Sequence, residues 1–285
     1  MSTFALSVCI CTRNRPAELT ECLDSIERSS VPVAQVIVSD DGIPDGPAKQ
    51  IAEDRGATYV PGPRRGLCAN RNRALSLVTG THVLFLDDDA LLAPDFAANV
   101  RARIDGDRAA DAADRLIVSG REIRPGGHVT EACEQSFLGF QQLGYSEGDE
   151  RKTVVINATV FPAGLFQEVV FDERIAYGYD EVDLTTRAVA AGWRIAALPE
   201  AINQHNHSER SREGYVEAQD ATRLYVTFKR YRRTDRRPLR AAAYSLVAPL
   251  HLLAASLKRA GVRGIAPAAR SVRLAVSLSR TPIGS

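Results

Sequence analysis

The sequence predicts an α/β fold, in which a mostly parallel β-sheet is flanked by helices and followed by a C-terminal helical appendage. Short apolar runs rich in β-branched residues alternate with segments of helical periodicity. Polar clusters directly follow three of the apolar runs, and parallel sheets bind ligands at this end of their strands. The 285 residues, 45% hydrophobic and 25% charged, suffice for one large domain with an appendage.

The first half of the predicted sheet lies within residues 4–86. The apolar run Phe4–Cys11 predicts a buried parallel strand, and Pro16–Ser30 has helical apolar spacing with a proline in its first turn. Because strands and helices alternate, we expect helices on both faces of the sheet. The elements that continue this alternation are strands at Val36–Val38, Thr58–Val60 and Val83–Leu86, and helices at Ala48–Arg55 and Gly66–Thr79.

The second half is less regular. Arg121–Lys152 has poor periodicity with frequent Gly and Gln, which is typical of a long connecting or lid segment. The elements predicted beyond it are strands at Val154–Phe161 and Trp193–Ala197 and helices at Glu181–Ala191 and Tyr215–Tyr231.

The charge distribution predicts two parts, a domain at residues 1–230 and a basic, apolar helical tail at residues 231–285. The net charge is only +1, but residues 223–285 contain 14 Lys and Arg against the single acid Asp235. The remaining 22 bases and 34 acids lie in residues 1–222. Such asymmetry indicates an anionic partner for the tail.

The tail brackets the uncharged stretch Ala241–Leu257 with the basic segments Arg232–Arg240 and Lys258–Arg263, and Ala268–Leu278 is amphipathic. We expect helices that lie on an anionic membrane surface. Packing on the domain or on a second copy of the chain stays open. Nucleic acid is not expected, because few aromatic residues are interleaved with the basic ones.

The cysteines and the N-terminus predict a cytoplasmic protein, peripheral to the membrane through its tail. The five cysteines are odd in number and lack C-x-x-C spacing, which favours buried, reduced thiols. Met1–Ala5 has no basic region, and the apolar run that follows ends too early for a signal peptide.

Three adjacent carboxylates, Asp87, Asp88 and Asp89, follow the strand predicted at Val83–Leu86. Asp87 and Asp89 can converge on Mg²⁺ or Mn²⁺ while the middle residue points elsewhere. A solvated turn or a helix cap is the alternative. An aspartyl-phosphate phosphatase would need an aspartate near the first strand, where Cys9–Arg13 has none.

Asp40-Asp41-Gly42 is a second acidic strand end. A carboxylate here can accept the imide N–H of uracil or thymine, or bind a ribose hydroxyl, although an Asp-Gly turn is equally compatible. Arginines that could bind phosphate surround the next helix start, with solvated side chains as the alternative for at least two of them. They are Arg64, Arg65, Arg71 and Arg73.

Asp180 and Glu181 precede a predicted helix, and His205 follows a late strand. The pair of carboxylates suits a helix cap, and one of them beside an acceptor hydroxyl would suit a general base. His205 could complete an octahedral metal site, whereas a lone surface histidine is the commoner outcome. The chain contains no G-x-G-x-x-G and no nucleophile–His–acid pattern of a hydrolase.

Taken in order, these motifs resemble the inverting GT-A glycosyltransferases of family 2, over residues 4–230. The pattern is closest to branches that transfer rhamnose, galactofuranose or similar sugars. The matching segments are SVCICTRNR at residues 7–15, VSDDG at 38–42, RGLCANRN at 65–72, LFLDDD at 84–89, and DEVDL at 180–184 with Arg187 and GWRI at 192–195.

The resemblance implies a role for each residue. Thr12, Arg15 and Asp41 would hold the nucleoside, and Arg71 the base or the diphosphate. Asp87 would contact ribose or metal, and Asp88 would belong to the nucleotide-sugar site. Asp89 and His205 would ligate Mn²⁺ or Mg²⁺. Glu181 would be the base, with Asp180 as a rival, because the family usually places Glu first and Asp second in this pair.

The resemblance implies an enzyme that transfers a hexosyl or deoxyhexosyl group from a nucleoside-diphosphate sugar, with UDP- or dTDP-sugars favoured. The acceptor would be a hydroxyl of a glycan, glycolipid or glycosylated metabolite, as in polysaccharide biosynthesis. Two alternatives are a metal-dependent nucleotidyltransferase or nucleotide-sugar hydrolase, and a non-catalytic membrane-surface scaffold with a decayed transferase fold.

Overall fold

The computed structural model describes residues 4–44, 46–109, 115–206 and 215–281. The strands are β1 (Leu6–Thr12), β2 (Gln35–Asp40), β3 (Thr58–Pro61), β4 (His82–Asp87), β5 (Ala90–Leu91), β6 (Leu116–Ile123), β7 (Val129–Thr130), β8 (Glu134–Gln135), β9 (Gln141–Leu143), β10 (Thr159–Pro162) and β11 (Arg194–His205). The helices are α1 (Pro16–Glu27), α2 (Ala48–Glu53), α3 (Leu67–Leu75), α4 (Phe96–Ala109), α5 (Asp180–Ala190), α6 (Val216–Lys229), α7 (Pro238–Ala260) and α8 (Ile265–Arg280).

One nine-stranded sheet organises the fold, in the order β3-β2-β1-β4-β10-β6-β11-β5, with β7 beside β6. The longest pairings are parallel, namely β1 with β2 and β4, and β6 with β11. Shorter antiparallel pairings attach β10 to β4 and β6, and β5 to β11. The prediction of a mostly parallel sheet flanked by helices and followed by C-terminal helices is confirmed, with antiparallel strands added to it.

Side chains alternate between the two faces of the sheet, and each face has its own core. Val8 and Leu84 point to the face covered by α1 and α4. Cys9 and Phe85 point to the opposite face, covered by α3, α5 and α6. The central strands are therefore apolar on both faces, which explains their near-continuous hydrophobic runs.

The second half differs most from expectation. The sequence predicts a strand at Val154–Phe161, but β10 begins only at Thr159, because Ile156–Ala158 forms a turn of 3₁₀ helix. The segment predicted as connecting, Arg121–Lys152, contains the end of β6 and the short strands β7, β8 and β9. Strand β11 is longer than predicted and continues to His205 after a register shift between Ala197 and Ile202.

A buried ionic cluster ties α6 to the chain that leads into α5. The Asp172 carboxylate accepts hydrogen bonds from Lys229 Nζ (2.6 Å), Tyr225 Oη (2.6 Å) and Arg174 Nη2 (2.5 Å). Lys229 also pairs with Asp183 on α5 at 2.7 Å. Burial alone would raise the pKa of Asp172, but the bonds from Arg174 and Lys229 prevail and lower it.

Asp172→Asn should destabilise the fold by about 3–5 kcal/mol at neutral pH, because it leaves buried cations without their counter-charge. A lowered carboxylate pKa stabilises the protein above the ordinary aspartate pKa of about 4, and this contribution is lost as the pH falls further. Chemical denaturation of both proteins between pH 7 and pH 3 should therefore show the difference shrinking below about pH 4.

Glu217→Gln is the matched control, because Glu217 forms an exposed ion pair with Arg270 between α6 and α8. It should change the stability little. Equal losses for the two variants, or a loss for Asp172→Asn that does not depend on pH, would contradict a special role for the buried cluster.

Candidate active site

The polar strand ends predicted from the sequence meet at one edge of the sheet. Cys11 lies opposite Asp87 in the β1–β4 pairing, and Thr12 lies opposite Asp40 in the β1–β2 pairing. The register therefore brings the ends of β1, β2 and β4 together, as expected for a parallel sheet that binds a ligand at this edge.

Asp87, Asp89 and His205 form a cluster that can hold a metal ion. One potential ligand atom from each lies within 4.8 Å of the other two. The backbone explains the convergence, because His205 ends β11 and pairs with Ala90, the residue after Asp89. The expectation that Asp87 and Asp89 converge, with His205 beside them, agrees with this geometry.

Asp88 points away from this cluster, as expected for the middle residue of three. Its carboxylate accepts hydrogen bonds from Thr12 Oγ1 (2.8 Å) and Arg15 Nη1 (3.0 Å). Burial raises the pKa of Asp88 to about 6, with the bonds from Thr12 and Arg15 opposing it. Arg15 also donates to Asp89 Oδ2 at 2.9 Å, so Thr12 and Arg15 contact the acidic strand end directly.

His205 is oriented by Glu122, a residue that the sequence reasoning missed. His205 Nδ1 lies 2.8 Å from Glu122 Oε2, and Nε2 lies 3.1 Å from Asp89 Oδ1. Burial alone would lower the pKa of His205, but the bonds to Asp89 and Glu122 raise it to about 10. Glu122 follows Ser119, Gly120 and Arg121 at the end of β6, so no local pattern in the sequence marks it.

Asn157 fixes Asp87 and connects it to Glu122. Asn157 Oδ1 accepts the Asp87 backbone N–H (2.7 Å), and Nδ2 donates to Asp87 Oδ2 (3.3 Å) and Glu122 Oε1 (3.1 Å). The side chain reaches the site because the chain forms a 3₁₀ turn at Ile156–Ala158 instead of the predicted strand. Nothing in the sequence pattern marks this asparagine.

The donor set fits Mn²⁺ or Mg²⁺. Carboxylate oxygens suit these hard cations, and a histidine whose Nδ1 donates to a carboxylate presents Nε2 as a ligand. The negative environment that stabilises a proton on His205 is one that would also stabilise a divalent cation.

Asp40 and Asp41 occupy different positions at the end of β2. Asp40 is 5% exposed, and its Oδ1 accepts the Gly42 N–H at 2.7 Å, so it stabilises the turn. Asp41 is partly exposed, and its Oδ1 accepts the Arg64 backbone N–H at 2.8 Å. Asp40 therefore fits the interpretation as a turn, and Asp41 is the carboxylate that a ligand could reach.

Gly66 places α3 against the loop that precedes α5. Its φ of +104° is strained for other residues, and a Cβ there would lie 2.8 Å from Ala176 Cα. The Leu67 N–H donates to the Ala176 carbonyl at 3.0 Å. This close approach brings Arg71, one turn into α3, next to the start of α5.

Arg71 lies at the centre of the site and is 2% exposed. Its guanidinium pairs with Asp87 Oδ1 at 2.9 Å and with Asp180 Oδ2. The guanidinium also lies over the rings of Phe85 and Phe171. Arg71 therefore links the candidate metal site at the end of β4 to the acidic start of α5.

Asp180 and Glu181 enter α5 through two consecutive left-handed residues, Gly178 (φ 75°) and Tyr179 (φ 58°). Asp180 is 4% exposed and paired with Arg71, whereas Glu181 is partly exposed and accepts a hydrogen bond from Gln141 on β9. Burial raises the pKa of both carboxyls, and the charge of Asp180 adds to the effect on Glu181. A carboxylate with a raised pKa in a partly open site is suited to proton transfer.

Comparisons with known proteins agree with this geometry. The sequence model described as glycosyl transferase family 2 matches residues 7–173. No curated protein sequence matches the chain.

Three solved structures have the same fold at low identity, which speaks for the fold alone. TarS of S. aureus has a TM-score of 0.60 and 16% identity, over 98% of this chain and 54% of that one, so the present chain spans about half of TarS. The mannosyltransferase PcManGT from Pyrobaculum calidifontis, solved with GDP-Man and Mn²⁺, has a TM-score of 0.61 and 20% identity, over 97% and 76%. GalNAc-T7, solved with UDP, GalNAc and Mn²⁺, has a TM-score of 0.63 and 13% identity, over 79% and 48%.

The GT-A fold expected from the motifs is thus confirmed. Since the family match covers more than half of the sequence and includes β1, β2, β4 and the three acidic residues after them, the chain belongs to glycosyltransferase family 2.

Proposed function

We propose that this protein is a metal-dependent, inverting glycosyltransferase that moves a sugar from a nucleoside-diphosphate sugar to a hydroxyl of a glycan, glycolipid or glycosylated metabolite. The observation that carries the proposal is the joint placement of two groups. The candidate metal ligands Asp87, Asp89 and His205 lie on one side of Arg71, and the acidic start of α5 lies on the other.

Asp87, Asp89 and His205 would hold Mn²⁺ or Mg²⁺ beside the donor diphosphate. A cation bound there supplies positive charge that offsets the charge developing on the leaving nucleoside diphosphate. Glu122 keeps Nε2 of His205 directed at Asp89, and Asn157 holds Asp87 in place.

Glu181 is the general base in this proposal. Asp180 is already paired with Arg71 in a buried site, whereas Glu181 is partly exposed. Glu181 would take the proton of the acceptor hydroxyl while the acceptor oxygen attacks the anomeric carbon from the face opposite the diphosphate. The bond to the diphosphate breaks in the same displacement, so the anomeric configuration inverts.

Arg71 and Asp180 act as positioning residues in the same account. The role expected for Arg71 from the resemblance, contact with the base or the diphosphate, stays a prediction. Its contacts favour a second role, because one buried guanidinium holds Asp87 and Asp180 together. An error of about 1 Å in such a site can cost on the order of 100-fold in rate.

The donor in this proposal is a UDP- or dTDP-sugar. Asp41 offers a carboxylate to the imide N–H that uracil and thymine share, and its backbone N–H donates to the Thr12 carbonyl at the end of β1 at 3.0 Å. The motif pattern favours rhamnose, galactofuranose or a similar sugar. The similar structures were solved with several ligands, GDP-Man for PcManGT and UDP for GalNAc-T7, so fold alone does not select the nucleotide.

Asp89→Ala should abolish Mn²⁺-dependent binding of UDP. Isothermal titration of the parent protein with UDP should show binding that requires Mn²⁺, and a thermal-shift series with UDP, dTDP and GDP should rank the nucleotides. Ligand at 100 times its Kd stabilises the folded state by about 2.7 kcal/mol, which is readily seen.

Glu53→Ala, at an exposed position of α2, is the matched control and should bind UDP as the parent does. Metal-independent binding, or Asp89→Ala indistinguishable from the parent, would overturn the metal site.

Glu181→Gln should lower kcat by about 10²–10⁴-fold while leaving UDP binding intact, because the amide cannot take a proton. The readout is release of nucleoside diphosphate from the donor that the thermal-shift series selects, with a panel of octyl glycosides as acceptors. Asp180→Asn should differ by also lowering the melting temperature, since Arg71 loses a buried partner. A Glu181→Gln enzyme that retains full turnover would exclude Glu181 as the base.

The pH profile should carry the signature of Glu181. The base must be ionised, and burial raises its pKa, so kcat/KM should fall with decreasing pH at a midpoint well above the ordinary glutamate value of about 4.3. A profile that stays flat down to pH 4.5 would contradict this assignment.

The same assays separate the alternative classes. A nucleotide-sugar hydrolase would release sugar at full rate without any acceptor, and a nucleotidyltransferase would not release nucleoside diphosphate from the sugar donor. A non-catalytic scaffold would show no turnover in the parent protein, so Glu181→Gln would change nothing.

A further inference from the structure

Helix α7 has apolar residues on two opposite faces. The face against the protein is formed by Ala241, Tyr244, Ala248, Leu252 and Ser256. The face toward solvent carries larger residues at helical spacing, with Leu239 86%, Leu246 71% and Leu250 67% exposed. Large apolar side chains are usually buried in preference to small ones. A stripe of exposed leucines opposite a stripe of mainly small buried residues therefore indicates a surface that contacts a partner outside the chain.

Helix α8 and the turn before it also bury small residues and expose larger apolar ones. Ala268, Ser271 and Ala275 are the buried residues of α8. The exposed apolar residues of this region are Val262 (77%), Ile265 (44%), Leu274 (42%) and Val276 (43%). The apolar tail face is defined as the exposed large apolar residues of α7, namely Leu239, Leu246, Val247, Leu250 and Leu257.

Cationic side chains flank this face at both ends of α7. Arg232, Arg233, Arg236 and Arg237 precede the helix, and Lys258, Arg259 and Arg263 follow its apolar stretch; all seven are exposed. Within the described part of the chain, none of the seven pairs with a carboxylate. The nearest acid in sequence, Asp235, faces Arg230 at 3.5 Å. The surface is thus an apolar strip between two groups of free cations.

The helical segment Pro238–Arg280, which contains α7, is long and apolar enough to cross a membrane. Helix α7 itself has 23 residues and is about 35 Å long, and one side of it is covered by protein. Its inner face packs on the protein, where Tyr244 Oη donates to the Arg223 carbonyl at 3.5 Å and His251 contacts the ring of Phe140. A helix held in this way along one side offers only its other side to lipid.

We infer that the apolar tail face and its flanking cations dock this enzyme on an anionic membrane surface, with α7 lying in the plane of the interface. Apolar side chains would enter the boundary between headgroups and acyl chains, and the cations would contact anionic headgroups. A second copy of the chain fits less well. A two-fold contact through this face would bring its unpaired cations toward those of the partner. This inference is independent of the proposed sugar transfer.

The test is co-sedimentation of the full chain, without nucleotide or metal, with vesicles of phosphatidylcholine alone or with 30% phosphatidylglycerol. We expect binding to the anionic vesicles that weakens in high salt, and little binding to phosphatidylcholine. Joint replacement of Arg232, Arg233, Arg236 and Arg237 by Gln should weaken binding at least 100-fold, at about fivefold for each residue. The pair Leu246→Gln and Leu250→Gln should weaken it at least tenfold.

Control variants remove exposed cations and apolar area elsewhere on the surface. Arg28→Gln with Lys49→Gln removes exposed cations, and Val170→Gln removes an apolar side chain that is 49% exposed. These variants should bind as the parent does, and all variants should keep the parent's melting temperature. Equal binding to both vesicle types, or equal losses in the controls, would overturn the inference.

Light scattering after gel filtration tests whether a second copy of the chain covers the apolar tail face. A monomer in the absence of lipid, unchanged by Leu250→Gln, is expected. A dimer that Leu250→Gln dissociates would show that a second copy covers the face and would overturn membrane docking. Because none of these measurements uses donor sugar, failure of the docking inference leaves the catalytic proposal untouched, and the reverse also holds.

Discussion

The ion pairs of the buried Arg71 guanidinium hold the two acidic parts of the site together. The guanidinium is enclosed by protein, and its charge is compatible with burial only because Asp87 and Asp180 lie on either side of it. Those two carboxylates come from the end of β4 and the start of α5, which are distant in sequence. Removing either partner would leave a buried charge uncompensated, so one side chain connects the candidate metal site to the helix start that carries the proposed base.

The same logic of compensation extends through the surrounding acids. Three adjacent aspartates would repel one another, but each contacts a cationic side chain, and Arg15 is shared by two of them. Asp87 faces Arg71, Asp88 faces Arg15 and Thr12, and Asp89 lies between Arg15 and His205. A bound cation would enter a site whose ligands are already held in place by protein contacts, which is the preorganisation that catalysis requires.

The sequence predicts the strand-borne part of this site well and the supporting residues poorly. Asp87, Asp89 and the first strands along the chain follow from local patterns, because a buried strand and its polar end are recognised from neighbouring residues. Glu122 and Asn157 were missed, since β6 was not predicted and Asn157 reaches the site through a 3₁₀ turn. The burial of Arg71 was missed for another reason. Its partners lie 16 and 109 positions away, and no local pattern encodes such a contact. The charge and apolarity of the tail were likewise visible in the sequence, but which face of α7 is buried depends on the packing of Ala248 and Tyr244.

We propose that one edge of the sheet holds a metal ion and a nucleoside diphosphate opposite Glu181. Anomalous diffraction at the manganese edge, from crystals grown with Mn²⁺ and UDP, would locate both. We expect one strong anomalous peak among Asp87, Asp89 and His205, in contact with the diphosphate, and the uracil ring beside Asp41. A manganese peak elsewhere, or UDP bound at this edge with no metal in contact with those three residues, would contradict it.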